Sequence, residues 1–223
     1  MIVPETPAGM ENRRDEIPMK RTARIWLLGP YVAIGVGLLI MRNAWATVCG
    51  FHGIMLAALW LHRRRWRVDA LWGGGRPSWL PAIVLSVLAF GYGLTQLAGL
   101  FPGYGRHLRI VLNSLSLSGA GMGALGAYLC LVNPVIEEAF WRGLFFEGRK
   151  RLALSDLAYG GVHFLVFLPF MFSHYALIAA AFLSAMGYLW RRIASQQKGL
   201  AMPIAWHALG DASIILSVAV ILR

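Results

Sequence analysis

Long apolar stretches run through most of this sequence, and they constrain its fold more than any other feature. A helix needs about 20 predominantly apolar residues to cross the hydrocarbon core of a bilayer. The sequence therefore predicts an all-α, polytopic membrane helix bundle with about seven transmembrane helices. The stretches lie approximately at 25–41, 44–62, 79–101, 117–147, 157–172, 174–190 and 200–222.

The composition is also typical of a protein embedded in a lipid bilayer. Apolar residues make up 58% of the chain and charged residues 14%. Soluble domains contain about 45–50% apolar residues and about 25% charged residues. The formal net charge of +11 would suggest a nucleic-acid partner in a soluble protein. Here the basic residues fall between the apolar stretches, where lipid headgroups are their neighbours. We therefore expect the lipid bilayer as their partner, and no nucleic acid.

The fourth stretch is too long for one straight crossing at about 1.5 Å per residue. It contains the pair Asn133-Pro134 near its middle. Proline removes a backbone hydrogen-bond donor and clashes with the preceding turn. The sequence therefore predicts that this helix kinks or splits at Asn133-Pro134.

Basic and aromatic residues near the ends of the stretches predict the orientation of the bundle. Cytoplasmic segments carry an excess of Lys and Arg, and tryptophans such as Trp26, Trp79 and Trp190 are typical of interfacial anchors. Sixteen basic residues on one side against four on the other place the amino terminus in the cytoplasm. Residues 1–24 are then a polar, disordered cytoplasmic tail, and 25–223 are the membrane domain. The sixteen are Arg13, Arg14, Lys20, Arg21, Arg24, Arg63, Arg64, Arg65, Arg67, Arg76, Arg149, Lys150, Arg151, Arg191, Arg192 and Lys198; the four, in the opposite loops, are Arg42, Arg106, Arg109 and Arg223.

Ionisable side chains inside the apolar stretches are candidates for function, because each costs about 2.5–3.5 kcal/mol to insert at the centre of a membrane helix. Those in the fourth, fifth and seventh stretches are predicted at one depth, roughly 13–20 Å from the basic boundary at about 1.5 Å per residue. Three helices that are distant in sequence therefore bring polar groups to one level. The candidates are Glu137, Glu138, Arg142, His163, His207 and Asp211, and His52 stands alone in the second stretch.

The spacing within each helix favours specific pairs. Glu138 and Arg142 are four residues apart, as are His207 and Asp211, so each pair shares a helix face. Glu137 lies about 100° around the helix from Glu138 and can meet a different partner. A carboxylate opposite two histidines can activate water, stabilise an oxyanion or bind a metal. The residues alone leave open catalysis, a structural hydrogen-bond network and a proton or ion pathway.

Three short motifs occur in a fixed order along this part of the chain. They are EEAFWR beginning at Glu137, YGGVH ending at His163, and HALGD beginning at His207. Together they resemble the CPBP family of intramembrane proteases, also called the ABI family, which includes the CAAX prenyl endopeptidases. The resemblance covers about 75 residues, from Glu137 to Asp211. It implies an endopeptidase that cleaves a membrane-associated or lipidated protein or peptide substrate, in a multi-pass protein of the cell membrane whose active site faces the cytoplasmic side.

The resemblance also implies roles for the first two motifs. Glu137 activates the attacking water as a general base, and His163 helps it. Glu138 and Arg142 form a pair that supports the motif helix. Tyr159 stands where phenylalanine is usual, which is a mild change at a packing position.

The third motif departs from the family at its last residue. By resemblance, His207 and Asp211 stabilise the tetrahedral oxyanion or help to hold the water. Aspartate stands here where asparagine is common. Since an ionised carboxylate would repel an oxyanion, Asp211 must be protonated, paired with His207, or used as a ligand.

The requirement for a cofactor depends on the same residues. Two histidines and two or three carboxylates can bind zinc in a three-ligand open site, and that site would use Glu137, His163 and His207. The spacing is not HExxH, and the family is described both as metallo-type and as glutamate-type. We favour water activated by glutamate, with a divalent metal such as zinc as the alternative.

A different class of function competes with proteolysis. The same polar cluster could serve a non-catalytic membrane binding or scaffold protein, or a transporter. All the catalytic positions are filled, which argues against a degenerate scaffold. No inverted repeat is apparent, which argues mildly against a transporter.

Overall fold

Helices supply all of the regular secondary structure in the part of the chain that the computed structural model describes, which is residues 21–63, 71–73, 80–99, 103–145 and 151–223. The first helical segment combines a 3-10 helix, Arg21–Leu27, with α1, Gly29–Ile34, and a π-helix, Gly35–Ile40. The predicted all-α class is therefore confirmed for the described residues. The remaining helices are α2 Ala44–Leu61, α3 Leu80–Gly99, α4 Tyr104–Ser114, α5 Gly119–Leu131, α6 Asn133–Glu138, a π-helix Ala139–Leu144, α7 Leu154–Phe167, α8 Ser173–Gln197 and α9 Ala201–Ile221.

Four helices among the described residues are long and apolar enough to cross a membrane: Ala44–Leu61, Gly119–Leu144, Ser173–Gln197 and Ala201–Ile221. Three shorter apolar helices, Arg24–Ile40, Ile83–Ala98 and Leu154–Phe167, coincide with the other predicted stretches. Large apolar side chains also face outward, and the exposed fraction of Leu131 reaches 74%. Soluble monomers rarely carry such extensive apolar patches. The apolar helices indicate an integral membrane protein, and the count of seven spans stays a prediction.

The long fourth stretch divides where the sequence predicts. Helix α5 ends at Leu131, and α6 begins at Asn133 with Pro134 in its first turn. A proline is tolerated in a first turn because the N–H that it lacks has no helical partner there. The backbone then changes to the π-helix Ala139–Leu144, which the sequence did not predict. Such π-helical turns are rare and occur frequently at functional sites.

The short helix α6 lies at the centre of the bundle. It packs against α2, α5 and α9, while α8 packs along α7 and α3 packs along α9. Helices α7 and α8 approach closely at Gly160, where an added Cβ would lie 2.3 Å from the carbonyl oxygen of Ala180 in α8. Side chains at the end of α6 can therefore reach groups from helices that are distant in sequence.

Two of the basic segments differ from the prediction. Helix α8 continues to Gln197 and includes Arg191 and Arg192, which we had assigned to a cytoplasmic loop. Arg191 is buried and forms an ion pair with Asp156 of α7, with Nη2 2.7 Å from Oδ2. A buried charge must be paired to be tolerated, so Arg191 serves packing between helices rather than orientation.

Helix α4 also replaces a predicted loop. It carries Arg106 and Arg109 on an exposed face and buries Leu108, Val111 and Leu112 on the other. Its apolar residues recur at a helical spacing, but the helix is only 11 residues long. Arg109 donates a hydrogen bond to the carbonyl oxygen of Leu222 and so fixes α4 to the end of α9.

Part of the predicted tail and several of the basic residues lie outside the described residues. Of the tail 1–24, residues 21–24 belong to the 3-10 helix Arg21–Leu27 and residues 1–20 are not described. The basic residues outside the described ranges are Arg13, Arg14, Lys20, Arg64, Arg65, Arg67, Arg76, Arg149 and Lys150, and Trp79 lies outside them as well.

Candidate active site

The predicted site residues come from four parts of the helix bundle. Glu137 and Glu138 end α6, Arg142 lies in the following π-helix, His163 is on α7, and His207 and Asp211 are on α9. All are at least partly buried. The exposed fraction is 3% for Glu137, 0% for Glu138, 2% for Arg142 and 4% for His207, whereas His163 and Asp211 are half-buried.

Glu138 joins two helices through one of its oxygens. Its Oε1 accepts a hydrogen bond from Nη1 of Arg142 at 2.9 Å and another from Nδ1 of His207 at 2.9 Å. The pairing of Glu138 with Arg142 that the four-residue spacing predicts is thus present. Because all three side chains are buried, these bonds provide the charge compensation that each one needs.

Aromatic rings complete the surroundings of Arg142. Its guanidinium carbon lies 4.0 Å from the ring centroid of Tyr159 and 5.2 Å from that of Trp190. Trp190 also stacks on His207, with centroids 5.2 Å apart and an interplanar angle of 26°. The expectation of an interfacial Trp190 is therefore wrong, since the side chain is buried at the site.

Glu137 points to a different partner from Glu138, as their angular separation predicts. Nε1 of Trp141 donates a hydrogen bond to Oε2 of Glu137 at 3.1 Å. Within the described part of the chain, Oε1 of Glu137 accepts no hydrogen bond. One oxygen of this buried carboxylate is therefore held, and the other remains available to a water molecule or a substrate.

His163 is oriented by the backbone of its own helix. Its Nδ1 lies 2.7 Å from the carbonyl oxygen of Tyr159. Since a carbonyl only accepts, Nδ1 carries a proton, and in the neutral ring Nε2 presents a lone pair. No direct hydrogen bond joins His163 to Glu137 among the described residues. Trp141, which holds Glu137, instead contacts Tyr159, with ring centroids 5.9 Å apart.

Asp211 lies beside His207 one helical turn further along α9. Its Oδ2 is 3.7 Å from Nε2 of His207, which is within the range of an ion pair but long for a hydrogen bond. The same oxygen accepts a hydrogen bond from Nδ2 of Asn133 at 3.0 Å. Asp211 therefore lies between His207 and Asn133 and is 20% exposed.

The part of the chain that carries most of this cluster matches a known protein family. Residues 119–213 match the family model described as type II CAAX prenyl endopeptidase, Rce1-like. The chain carries a domain of the CAAX prenyl endopeptidase family. Comparisons with curated proteins and with solved structures found no match. Membership of this family implies intramembrane protease activity and a protein substrate.

Three polar contacts beside the CAAX endopeptidase motifs are not predicted by the sequence. Asn133, which we considered only as a helix breaker, donates to Asp211, and its Oδ1 lies 2.9 Å from Nε2 of His52. Nδ1 of His52 lies 2.8 Å from the hydroxyl of Tyr128. A signal for Asn133 existed in the sequence, because it lies one helical turn before Glu137. His52 gave no such signal, since its partners are 76 and 81 residues away.

The arrangement of the site also bears on metal binding. No group of three or more His, Cys, Asp or Glu side chains among the described residues is arranged to hold a metal ion. Nδ1 of His207 donates to Glu138 and Nδ1 of His163 donates to a backbone carbonyl, so Nε2 of each ring is the nitrogen left for another partner. Glu137, His163 and His207 are not brought together as a group that could hold a metal ion.

Proposed function

We propose that this chain is an intramembrane endopeptidase in which Glu137 activates water to hydrolyse a peptide bond of a membrane-associated or lipidated protein. The observation that carries the proposal is the state of Glu137, a buried carboxylate with one oxygen held by Trp141 and the other unoccupied by any described donor. A carboxylate in this situation can accept a proton from a bound water. Its position within the family match supports this role.

The proposed reaction needs two proton transfers. Oε1 of Glu137 takes a proton from the water, and the oxygen of the resulting hydroxide bonds to the scissile carbonyl carbon. The carbonyl π electrons move to oxygen and form a tetrahedral oxyanion. When the C–N bond breaks, the protonated Glu137 returns the proton to the leaving amine. The lone pair on Nε2 of His163 can accept a hydrogen bond from the same water and orient it.

His207 is the candidate for stabilising the oxyanion. Glu138 accepts from its Nδ1, so the ring is held by that bond, and an imidazolium would carry a second proton on Nε2. A positive ring offsets negative charge that develops nearby in a water-poor site. Asp211, close to Nε2, would favour that charged form of His207. In this scheme Asp211 acts on the histidine and does not contact the oxyanion.

The membrane arrangement is part of the proposal. We infer seven crossings, with the amino terminus and the opening of the site on the cytoplasmic side, and with 25–223 as the protease domain. The charge bias supports this orientation, because removing the buried Arg191 from the count still leaves fifteen basic residues against four. Single cysteines placed in the segment 63–78 should react with a membrane-impermeant maleimide only after the cytoplasmic face is exposed.

A cleavage assay with purified full-length protein in detergent or vesicles tests the proposal. The first probe is an internally quenched peptide that carries S-farnesylcysteine followed by three residues, which is the CAAX type of substrate. In parallel, the new termini of membrane proteins can be compared between cells that express the wild type and cells that express Glu137→Gln. We expect cleavage by the wild type and loss of cleavage in Glu137→Gln and His163→Ala.

Ser213→Ala is the matched control for this assay. Ser213 is buried on α9 two residues after Asp211, and its hydroxyl donates to the carbonyl oxygen of Val87, away from the site. The control should cleave like the wild type. Equal cleavage by the wild type, Glu137→Gln and His163→Ala would remove the mechanism. Absence of any cleavage by the wild type in both experiments would favour a binding or transport function of the cluster.

A further inference from the structure

A second set of polar side chains extends from Asp211 away from His207. Oδ2 of Asp211 accepts from Nδ2 of Asn133 at 3.0 Å, Oδ1 of Asn133 lies 2.9 Å from Nε2 of His52, and Nδ1 of His52 lies 2.8 Å from the hydroxyl of Tyr128. Each contact joins a different pair of helices, α6 with α9, α2 with α6, and α2 with α5. We call these three residues, Tyr128, His52 and Asn133, the donor chain.

Hydrogen-bond chemistry gives the donor chain one direction. An ionised carboxylate only accepts, so the amide nitrogen of Asn133 faces Asp211 and the amide oxygen faces His52. That oxygen also only accepts, so Nε2 of His52 carries the proton. Nδ1 of the neutral ring then has a lone pair and accepts from the hydroxyl of Tyr128. Every donor in the chain therefore points towards Asp211.

The donor chain ends on the same atom that faces the proposed catalytic cluster. Oδ2 of Asp211 receives Asn133 on one side and lies 3.7 Å from Nε2 of His207 on the other. The opposite nitrogen of His207 is fixed by Glu138. The position of Asp211 Oδ2 thus sets the distance at which a carboxylate acts on His207, and Asn133 is its described hydrogen-bond donor.

The side chains of the donor chain are polar but buried, and burying them costs free energy. His52 is 2% exposed and Asn133 is 6% exposed, and α2 is one of the four helices long enough to cross a membrane. Polar side chains at such positions carry an insertion cost and default to functional roles. His52 also lies outside residues 119–213, the part that matches the family. The contact with Asn133 therefore links a helix beyond the matched region to the site.

We propose that His52 and Asn133 are positioning residues of the protease site, which hold the Asp211 carboxylate at its distance from His207. The proposal rests on the proposed proteolytic function for its activity measurement, but the direction of the donor chain can be tested without it. Position 211 is an aspartate, and the Asn133 amide supplies the donor that holds this carboxylate. Loss of the donor chain should lower turnover more than substrate binding, because its hydrogen bonds lead to Asp211 and, through Asp211, to His207.

Two substitutions of His52 separate positioning from packing. Glutamine places its amide nitrogen the same number of bonds from Cα as Nε2 of histidine, so His52→Gln keeps a donor for Asn133. Asparagine reaches only as far as Nδ1, so His52→Asn keeps at most the contact with Tyr128. Both replace the ring with an uncharged amide. Only the first preserves the contact that leads to Asp211.

The activity measurement compares kcat and KM of these variants on the S-farnesylcysteine peptide, or on a membrane substrate identified by its new terminus. Loss of an outer hydrogen-bond partner commonly costs about 10–100-fold in activity. We expect a decrease of that size in kcat for His52→Asn and for Asn133→Ala, with KM little changed, while His52→Gln keeps most of the turnover. Equal losses in His52→Gln and His52→Asn, or a loss confined to KM, would overturn the positioning role.

Nuclear magnetic resonance of the full-length protein with ¹⁵N-labelled histidine tests the donor chain directly. Long-range ¹H–¹⁵N spectra distinguish the two neutral tautomers, and single substitutions assign each ring. We expect His52 to carry its proton on Nε2, and we expect the His207 signals to shift in Asn133→Ala but not in Ser213→Ala. The proposed direction of the donor chain would be contradicted by a proton on Nδ1 of His52. It would also be contradicted by His207 signals that do not change in Asn133→Ala. These outcomes are decisive even if the wild type cleaves no substrate, in which case the proposed function fails separately.

Discussion

Nδ1 of His207 lies 2.9 Å from Oε1 of Glu138, and this contact joins α9 to the end of α6 across 69 residues of sequence. The same oxygen accepts from Arg142. Glu138 therefore compensates the charge of the Arg142 guanidinium and also orients the His207 ring. This dual contact predicts that Glu138 positions the other side chains of the site rather than taking part in the chemistry.

Glu138→Ala should destabilise the protein strongly, because it leaves Arg142 buried without its ion-pair partner. Breaking a buried pair by removing one partner costs about 3–5 kcal/mol. Glu138→Gln keeps a carbonyl oxygen that can accept from both neighbours, and it should cost less. Unfolding in detergent, followed by circular dichroism, measures both variants. Equal stability of Glu138→Ala and the wild type would show that Arg142 does not depend on this contact.

Trp141→Phe should reduce cleavage without unfolding the protein. The substitution keeps a large aromatic side chain but removes the Nε1–H that holds Oε2 of Glu137. Removing one partner of a hydrogen bond to a charged group costs about 1.5–3 kcal/mol. Without this bond, the Glu137 carboxylate should be less well oriented as the general base. Combined with Glu137→Gln, the tryptophan substitution should have little further effect. Additive losses would mean that Trp141 acts independently of Glu137.

Arg191→Lys should lower the stability of the α7–α8 pair although it keeps the charge. Nε of Arg191 lies 3.0 Å from Oδ1 of Asp156, Nη2 lies 2.7 Å from Oδ2, and Nη2 also donates to the carbonyl oxygen of Arg151. Lysine cannot reproduce this planar fork. Arg192→Lys, one residue further along the helix and half-buried, is the control and should be close to neutral. Matching thermal midpoints for the two variants would count against the structural role of Arg191.

Gly160→Ala should separate α7 from α8. An added Cβ would lie 2.3 Å from the carbonyl oxygen of Ala180, so the helices must shift. Overpacking of this kind costs about 1–3 kcal/mol, and it should also reduce cleavage because His163 lies on the displaced helix. Gly210→Ala on α9 meets no atom within 4 Å and should be neutral or slightly stabilising. If the two substitutions behave alike, the close approach at Gly160 is not what orients α7.

Chelation should leave the cleavage activity intact. The described His, Asp and Glu side chains are not arranged as a set of three metal ligands. The measurement is turnover before and after dialysis against EDTA, together with the metal content of the active protein. Loss of activity on chelation, with recovery on adding zinc, would show that the reaction requires a metal and would contradict activation of the water by Glu137 alone.

The sequence predicted the features that depend on local composition and spacing. The apolar helices overlap the predicted stretches, and the helix divides at Asn133-Pro134, with the proline in the first turn of α6. The Glu138–Arg142 pair lies at the spacing of one turn. These predictions succeed because each depends on residues that are adjacent along the chain.

The features that the sequence missed depend on partners from distant helices. Arg191 follows an apolar stretch and resembles a cytoplasmic cation, but its partner Asp156 lies 35 residues away on α7. Trp190 has the position of an interfacial anchor, yet it stacks on His207 of α9. His52 has no polar neighbour on its own helix and meets Asn133 only through packing of α2 against α6. No periodicity within one helix encodes these contacts.

The division of the proposed site among α6, α7 and α9 has a consequence for the synthesis of the protein. His207 and Asp211 leave the ribosome after every other residue of the site, since α9 follows α2, α6 and α7 in the chain. Until α9 inserts beside α6, Glu138 lacks one of its two partners and no histidine lies opposite Glu137 from that side. Under the proposed mechanism, the nascent chain therefore lacks its candidate for stabilising the oxyanion until α9 inserts. The order of translation then delays completion of the site until the membrane assembly of the polypeptide is nearly finished.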